Sequence, residues 1–128
     1  MVGGLDDGLL AGDGEAHALS GVIRKRQGKM REAAESFYQA LKQAELVLNR
    51  TPPYYRGLDA VGLSYSGLTL PEQADEYLDE AIGAYGAAHD ITSEHGIVRR
   101  KLLLFDALAK DDSEKKFALV RNAITPAP

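Results

Sequence analysis

A pattern of small and large side chains occurs twice in this chain, and it restricts the possible folds more than any other feature. Gly28 to Leu41 reads GKMREAAESFYQAL and Thr69 to Ile82 reads TLPEQADEYLDEAI. Superposed, Ala33 falls on Ala74, Phe37 on Leu78, Ala40 on Ala81 and Leu41 on Ile82. The same offset of 41 residues carries Gly21 onto Gly62 in the preceding apolar segment. Two helices per unit, repeated at about 40 residues, are the sequence signature of a helical solenoid. Paired helices approach closely only where small side chains face each other. Gly21 and Gly62 on the first helix, with Ala33, Ala40, Ala74 and Ala81 on the second, therefore mark the expected crossings.

The periodicity places six helices. The first runs from Gly14 to Gln27, with Ala18, Gly21 and Val22 inward and Arg24, Lys25 and Arg26 in its last turn, where cations suit the helix dipole. The second, Arg31 to Asn49, sets Ala34, Phe37, Tyr38, Leu41, Ala44 and Leu48 on one face, and Thr51, Pro52 and Pro53 end it. The third spans Tyr54 to Gly67 through Leu58, Val61, Gly62 and Tyr65. Thr69 and Glu72 form a capping box for the fourth, Leu70 to His89, which turns Ala74, Tyr77, Leu78, Ala81, Ile82 and Tyr85 inward. Its outer face carries Glu72, Asp75, Glu76, Asp79 and Glu80, a solvated acidic surface. A weaker helical pattern follows from Ile91 to Lys110. Asp111, Asp112 and Ser113 then cap a short last helix whose Phe117, Val120 and Ile124 share a face. Ala123 aligns with Ala81 at an offset of 42, so this last pair reads as a third, degenerate unit.

The expected organisation is a flexible Gly- and Asp-rich leader over 1–13, one helical-repeat domain over 14–124 with units at about 14–50, 54–90 and 91–124, and a tail over 125–128. Asp6, Asp7 and Asp13 in the leader lack the glycine and glutamate register of a calcium loop. With 128 residues, 45% apolar and 27% charged, the composition is that of one globular domain. The chain has no cysteine, which removes disulfides, thiolate metal sites and cysteine nucleophiles. A formal charge of −4 argues against a general nucleic-acid binder. No apolar run approaches the roughly 18 to 20 residues that span a bilayer, and no secretion signal opens the chain, so a cytoplasmic location is expected.

The same residues resemble the tetratricopeptide repeat. That family places a small residue early in its first helix, then alanine, an aromatic or leucine, and alanine in its second. Gly21, Gly28, Ala33, Phe37 and Ala40 match in the first unit, and Gly62, Tyr65, Ala74 and Ala81 in the second. The family's tryptophan is replaced by His17 and Leu58, its first-helix tyrosine by Arg24 and its turn glycine by Thr69. Its closing proline is absent, and the period is longer by roughly two helical turns. The resemblance implies an all-α, right-handed α-solenoid of about three antiparallel helical hairpins, in a long-helix variant. It also implies a concave groove lined by the first helix of each pair. Carried across by position, that groove comprises Val22, Lys25 and Arg26, then Arg56, Asp59, Leu63 and Ser66, then Lys101 and Phe105. Such a surface suits a peptide or helix with apolar anchors and acidic neighbours. The family's carboxylate clamp needs asparagines where Val22 and Leu63 stand here.

No catalytic residue, metal ligand or cofactor is expected. His89, Asp90, Glu94 and His95 cluster near one turn, but histidines six apart do not share a helix face as ligands do. The serines lack a nucleophile-elbow context and no glycine-rich phosphate loop follows a strand. The expected function is a non-catalytic protein-interaction module. The alternative is self-association, as a homodimer or longer assembly in a larger signalling or transcription-regulator system. It would pair the cations between Arg24 and Arg31 with the acids between Glu72 and Glu80 of another copy.

Overall fold

In the computed structural model, residues 14–50, 54–69, 74–110 and 117–126 are described. Among them the chain is all-helical: α1 (Glu15–Arg26), α2 (Met30–Arg50), α3 (Tyr55–Gly67), α4 (Ala74–Ile91), α5 (His95–Ala109) and α6 (Ala118–Ile124). The expected leader, the Thr51–Pro53 stop, the Asp111–Ser113 cap, Glu72 and the side chain of Ala74 lie outside the described residues.

Two glycines set the ends of α1 for reasons of backbone geometry. Gly14 has φ 84°, and a Cβ there would sit 2.3 Å from the Ala40 carbonyl oxygen, so α1 begins where its backbone touches α2. Gly28 has φ 80° and closes the helix: its N–H donates to the Lys25 carbonyl at 3.0 Å, and Lys29 N–H donates to Arg24 at 2.9 Å. This pair of bonds is the Schellman arrangement, which satisfies carbonyls that the helix itself leaves unpaired. The capping box expected of Thr69 needs Glu72, which lies outside the described residues. The Thr69 hydroxyl donates back to the Tyr65 carbonyl at 2.9 Å and so belongs to the end of α3.

From α1 to α4, consecutive helices pack side by side. The contacts Gly14–Ala40, Gly21–Phe37 and Arg24–Ser36 show that α1 and α2 run in opposite directions. Leu48 against Gly57 and Phe37 against Gly67 do the same for α2 and α3. Aromatic rings seated on glycines produce these close approaches. A Cβ on Gly21 would lie 2.6 Å from the Phe37 ring, and one on Gly67 would lie 2.3 Å from the other edge of that ring. On α3, a Cβ on Gly62 would lie 2.7 Å from the Tyr85 ring. The 41-residue offset would have paired Gly62 with Leu78, so the second crossing sits two turns further along its helix than the first.

The last two helices touch each other through Phe105 and Phe117 and through the Arg121–Asp106 ion pair, but each rests mainly on a different neighbour. The short α6 lies on α4, while α5 lies against α1 and α3, and the backbones of α4 and α5 do not pack side by side. One core joins everything: Phe37, Leu63, Tyr85, Phe105, Leu108, Phe117, Val120 and Ile124 are all buried in it. Phe105 is edge-on to Tyr85 at 6.2 Å and to Phe117 at 5.6 Å between ring centres. Tyr38, expected on the apolar face of α2, is 52% exposed. It lies at the rim, beside Tyr77, with which it shares a hydrogen bond. Among the described residues no helix is long and apolar enough to cross a membrane.

The glycines divide into two classes with opposite expected responses. Gly21→Ala and Gly62→Ala force a methyl into a buried ring and lower stability by about 1–3 kcal/mol in urea unfolding. Gly83 and Gly86 have nothing within 4 Å of a Cβ, so Gly86→Ala raises stability by about 0.5–1 kcal/mol through backbone entropy alone.

Candidate functional site

Most of the residues carried across as a groove lie where α5 meets α1 and α3, with Arg56 exposed at the start of α3, and they line no open wall. Val22, Leu63, Ser66, Lys101 and Phe105 are buried, and α5 itself fills the space a peptide was expected to take. Val22 and Leu63 belong to the core, and Phe105 is wedged between Tyr85 and Phe117. The Ser66 hydroxyl donates to the Gly62 carbonyl of its own helix at 2.8 Å. The physical reason is that α5 lies across α1 and α3.

The cations serve this intramolecular seat. Lys25 Nζ donates to the Leu108 carbonyl at 3.1 Å and the Arg26 guanidinium to that of Ala107 at 3.2 Å. Both acceptors belong to the last turn of α5, where a helix concentrates negative partial charge. At the other end Arg100 pairs with Glu15. Pairs at 15–100, 25–108 and 26–107 make α1 and α5 parallel neighbours. Arg56 remains exposed at the start of α3, its charged form held by a hydrogen bond with Tyr55 and by the nearby Glu15.

Between the seat's two ends lies an ion pair, Lys101 Nζ to Asp59 Oδ1, at 3.0 Å. Lys101 is 5% exposed, and no further hydrogen-bond partner satisfies either atom among the described residues. Burial raises the Asp59 carboxyl to about 6, against the opposing pull of Lys101 and Arg100 and with a smaller contribution from Glu15. Burial, with the Asp59 charge nearby, also pushes the Tyr85 phenol well up. A cavity of about 20 Å³ adjoins the pair, lined by Glu15, Ala18, Asp59, Ala60, Leu63, Tyr85, Arg100, Lys101 and Leu104. That volume holds one water and no larger substrate. The arrangement fixes the position of α5 and offers no room for chemistry on a bound molecule.

A larger concavity of about 400 Å³ opens between α4 and α6, lined by Ile82, Gly86, His89, Asp90, Leu119, Asn122, Ala123 and Pro126. The His89 Nδ1 atom is buried and has no hydrogen-bond partner among the described residues. His95 lies apart, its Nε2 at 2.9 Å from the Arg99 guanidinium. Among the described residues no three His, Cys, Asp or Glu side chains gather as a metal set.

Sequence reasoning missed the surface that is open beside the seat. Leu19 and Ile23 of α1 are 37% and 48% exposed, and Leu103 of α5 is 67% exposed. Leu19 is one turn from Glu15 and Ile23 one turn from Arg26; Leu103 is one turn from both Arg100 and Ala107. The three leucine and isoleucine side chains therefore bracket the outer edge of the α1–α5 seam, with Arg26 and Arg100 at its two ends. A buried lysine within the apolar run of α5 was the available signal, because such a lysine requires an acid on whatever helix covers it.

The chain matches no protein-family profile, and no curated protein or solved structure is significantly similar to it.

Removing one member of the buried pair strands the other. Lys101→Met lowers stability by about 3 kcal/mol, whereas Asp59→Leu with Lys101→Met in the same chain recovers wild-type stability or exceeds it. The pH dependence follows from the raised carboxyl. On acidification from neutral pH the folded protein takes up the Asp59 proton near pH 6, before the unfolded chain does near its ordinary 3.8. This carboxyl therefore makes the fold more stable as pH falls from 7 towards 5. Comparing urea midpoints at the two pH values in wild type and Asp59→Asn isolates its contribution, which the Asn variant lacks.

Proposed function

We propose that this chain is a non-catalytic protein-interaction module, a solenoid-type helical repeat related in design to the tetratricopeptide repeat, working in the cytoplasm without a cofactor. Its concave side is occupied in cis by α5, and its partner binds on the outer edge of that seat, along α1 and α5. The partner is a peptide or amphipathic helix with apolar anchors and acidic neighbours.

The observation that carries this reading is the apolar strip of Leu19, Ile23 and Leu103 on two parallel helices, with Arg26 and Arg100 at its ends. Exposed large apolar residues collected on adjacent helices cost solubility and mark contact surfaces. Cations at the rim favour acidic partners and speed encounter. Arg26 and Arg100 stay exposed while they hold α5, whereas the buried Lys101 is paired with Asp59.

Affinity capture with matched variants tests the assignment. Leu19→Asp, Leu103→Asp and Arg26→Glu each reduce retention of a captured partner about tenfold or more, while Leu119→Asp, on α6, leaves it unchanged. All four variants keep wild-type helical circular dichroism. Equal retention by every variant would overturn the assignment of this face.

A further inference from the structure

The exposed stripe of α2 repeats at the spacing of a helix–helix seam. Arg31, Glu35, Tyr38, Lys42 and Glu45 follow one another at intervals of four, three, four and three residues, and all five are exposed. A stripe with that spacing lines up along a single neighbouring helix. Inside this chain, however, α2 packs on α1 and α3 through its opposite face, through Ala33, Phe37, Ala40 and Ala44, and the stripe touches α4 at its edge, where Tyr38 meets Tyr77. Among the described residues the charges along the stripe also enter no ion pair. The ion pairs among the described residues are Arg100–Glu15, Lys101–Asp59 and Arg121–Asp106, none of which uses α2. Within the helix, Arg31 precedes Glu35 and Lys42 precedes Glu45, the less favourable order for intrahelical pairing.

From this pattern we infer that α2 is a self-association surface, and that its occupant is α2 of a second copy in antiparallel orientation about a two-fold axis near Tyr38. The charge order selects both the occupant and the direction. Inverting the stripe about Tyr38 lays Arg31 against Glu45 of the second copy and Glu35 against its Lys42. The two-fold repeats each contact, so four opposite-charge contacts form and no like-charge contact does. A parallel pairing in register sets each charge against its own copy and is repelled. Tyr38, 52% exposed, meets its counterpart on the axis, and Leu46, 57% exposed, lies one turn beyond Lys42. Glu76 and Glu80 of α4, near the Tyr65 and Tyr77 rings, add negative charge along one flank. The contact is therefore sensitive to salt. With one helix from each copy it is a small interface, and the dimer is a weak, exchanging one.

Sedimentation velocity across micromolar to millimolar concentrations reads the association. The wild type shows reversible dimerisation, Lys42→Glu weakens it about tenfold or more, and Glu35→Lys with Lys42→Glu in the same chain restores it. Because the chain has no cysteine, a single introduced thiol reports proximity to its own copy. Tyr38→Cys forms an intermolecular disulfide under mild oxidation. Arg31→Cys does not, since antiparallel helices hold the two positions roughly 21 Å apart. A monomeric wild type at every concentration overturns the proposal, as does failure of the double reversal to restore association. Equal crosslinking at positions 31 and 38 overturns the antiparallel arrangement. Circular dichroism of each variant separates loss of association from loss of fold.

Discussion

Everything in this structure depends on one ring held between two glycines. Phe37, on α2, lies against Gly21 of α1 on one side and Gly67 of α3 on the other, and any side chain larger than hydrogen at either position would occupy the ring's own volume. Close packing makes that fit decisive, because an interior has no slack in which to absorb an extra methyl group. Once α1, α2 and α3 are fixed on Phe37, the position of α4 follows from the same device, Tyr85 on Gly62. The first helices α1 and α3 are then presented side by side, and the remaining apolar surface of α5 has a place to go.

How α5 is held there distinguishes this molecule from an open stack of repeats. Its apolar residues Phe105 and Leu108 supply burial, but burial has no direction and tolerates a helix sliding along its groove. The polar contacts remove that freedom. Lys25 and Arg26 take its terminal carbonyls, Glu15 takes Arg100 near its start, and Asp59 takes Lys101 between them. The buried pair is costly at neutral pH, since Asp59 remains charged in surroundings that disfavour the charge. A pair of that kind contributes little net stability compared with apolar residues of the same size, and its value here lies in defining one alignment of α5. The same closure moves the accessible surface outward, to Leu19, Ile23 and Leu103.

Much of this was legible from residue order alone, for reasons that can be named. Helix positions follow from apolar periodicity and from punctuation such as Gly28, and the bounds of α1, α2 and α3 differ from expectation by a residue or so. The glycines that mark the crossings were visible, but what faces them was not: small residues were expected opposite Gly21 and Gly62, and the rings of Phe37 and Tyr85 stand there instead. The seat of α5 was not visible, because carrying groove positions across from a repeat family assumes that each unit stacks on the last. The one local signal, Lys101 within the apolar run of α5, calls for a covering acid but does not say which helix supplies it. Of the residues assigned to the groove, Lys25, Arg26, Asp59 and Lys101 take part in the contact of α5 with α1 and α3. Their misreading was a matter of which molecule fills the space. Tyr38 was misplaced for a different reason: α2 is long enough that its face drifts, and an aromatic next to Phe37 in sequence points about 100° away from it.

The contact between Phe37 and its two glycines can be observed directly in solution by nuclear Overhauser spectroscopy on the wild-type chain. The account requires cross-peaks from the Phe37 ring protons to the α-protons of both Gly21 and Gly67, with those α-protons displaced by the ring current from their ordinary shifts. Cross-peaks to neither glycine, with random-coil shifts at both, would contradict it, because α1 and α3 would then have no common point of attachment on α2.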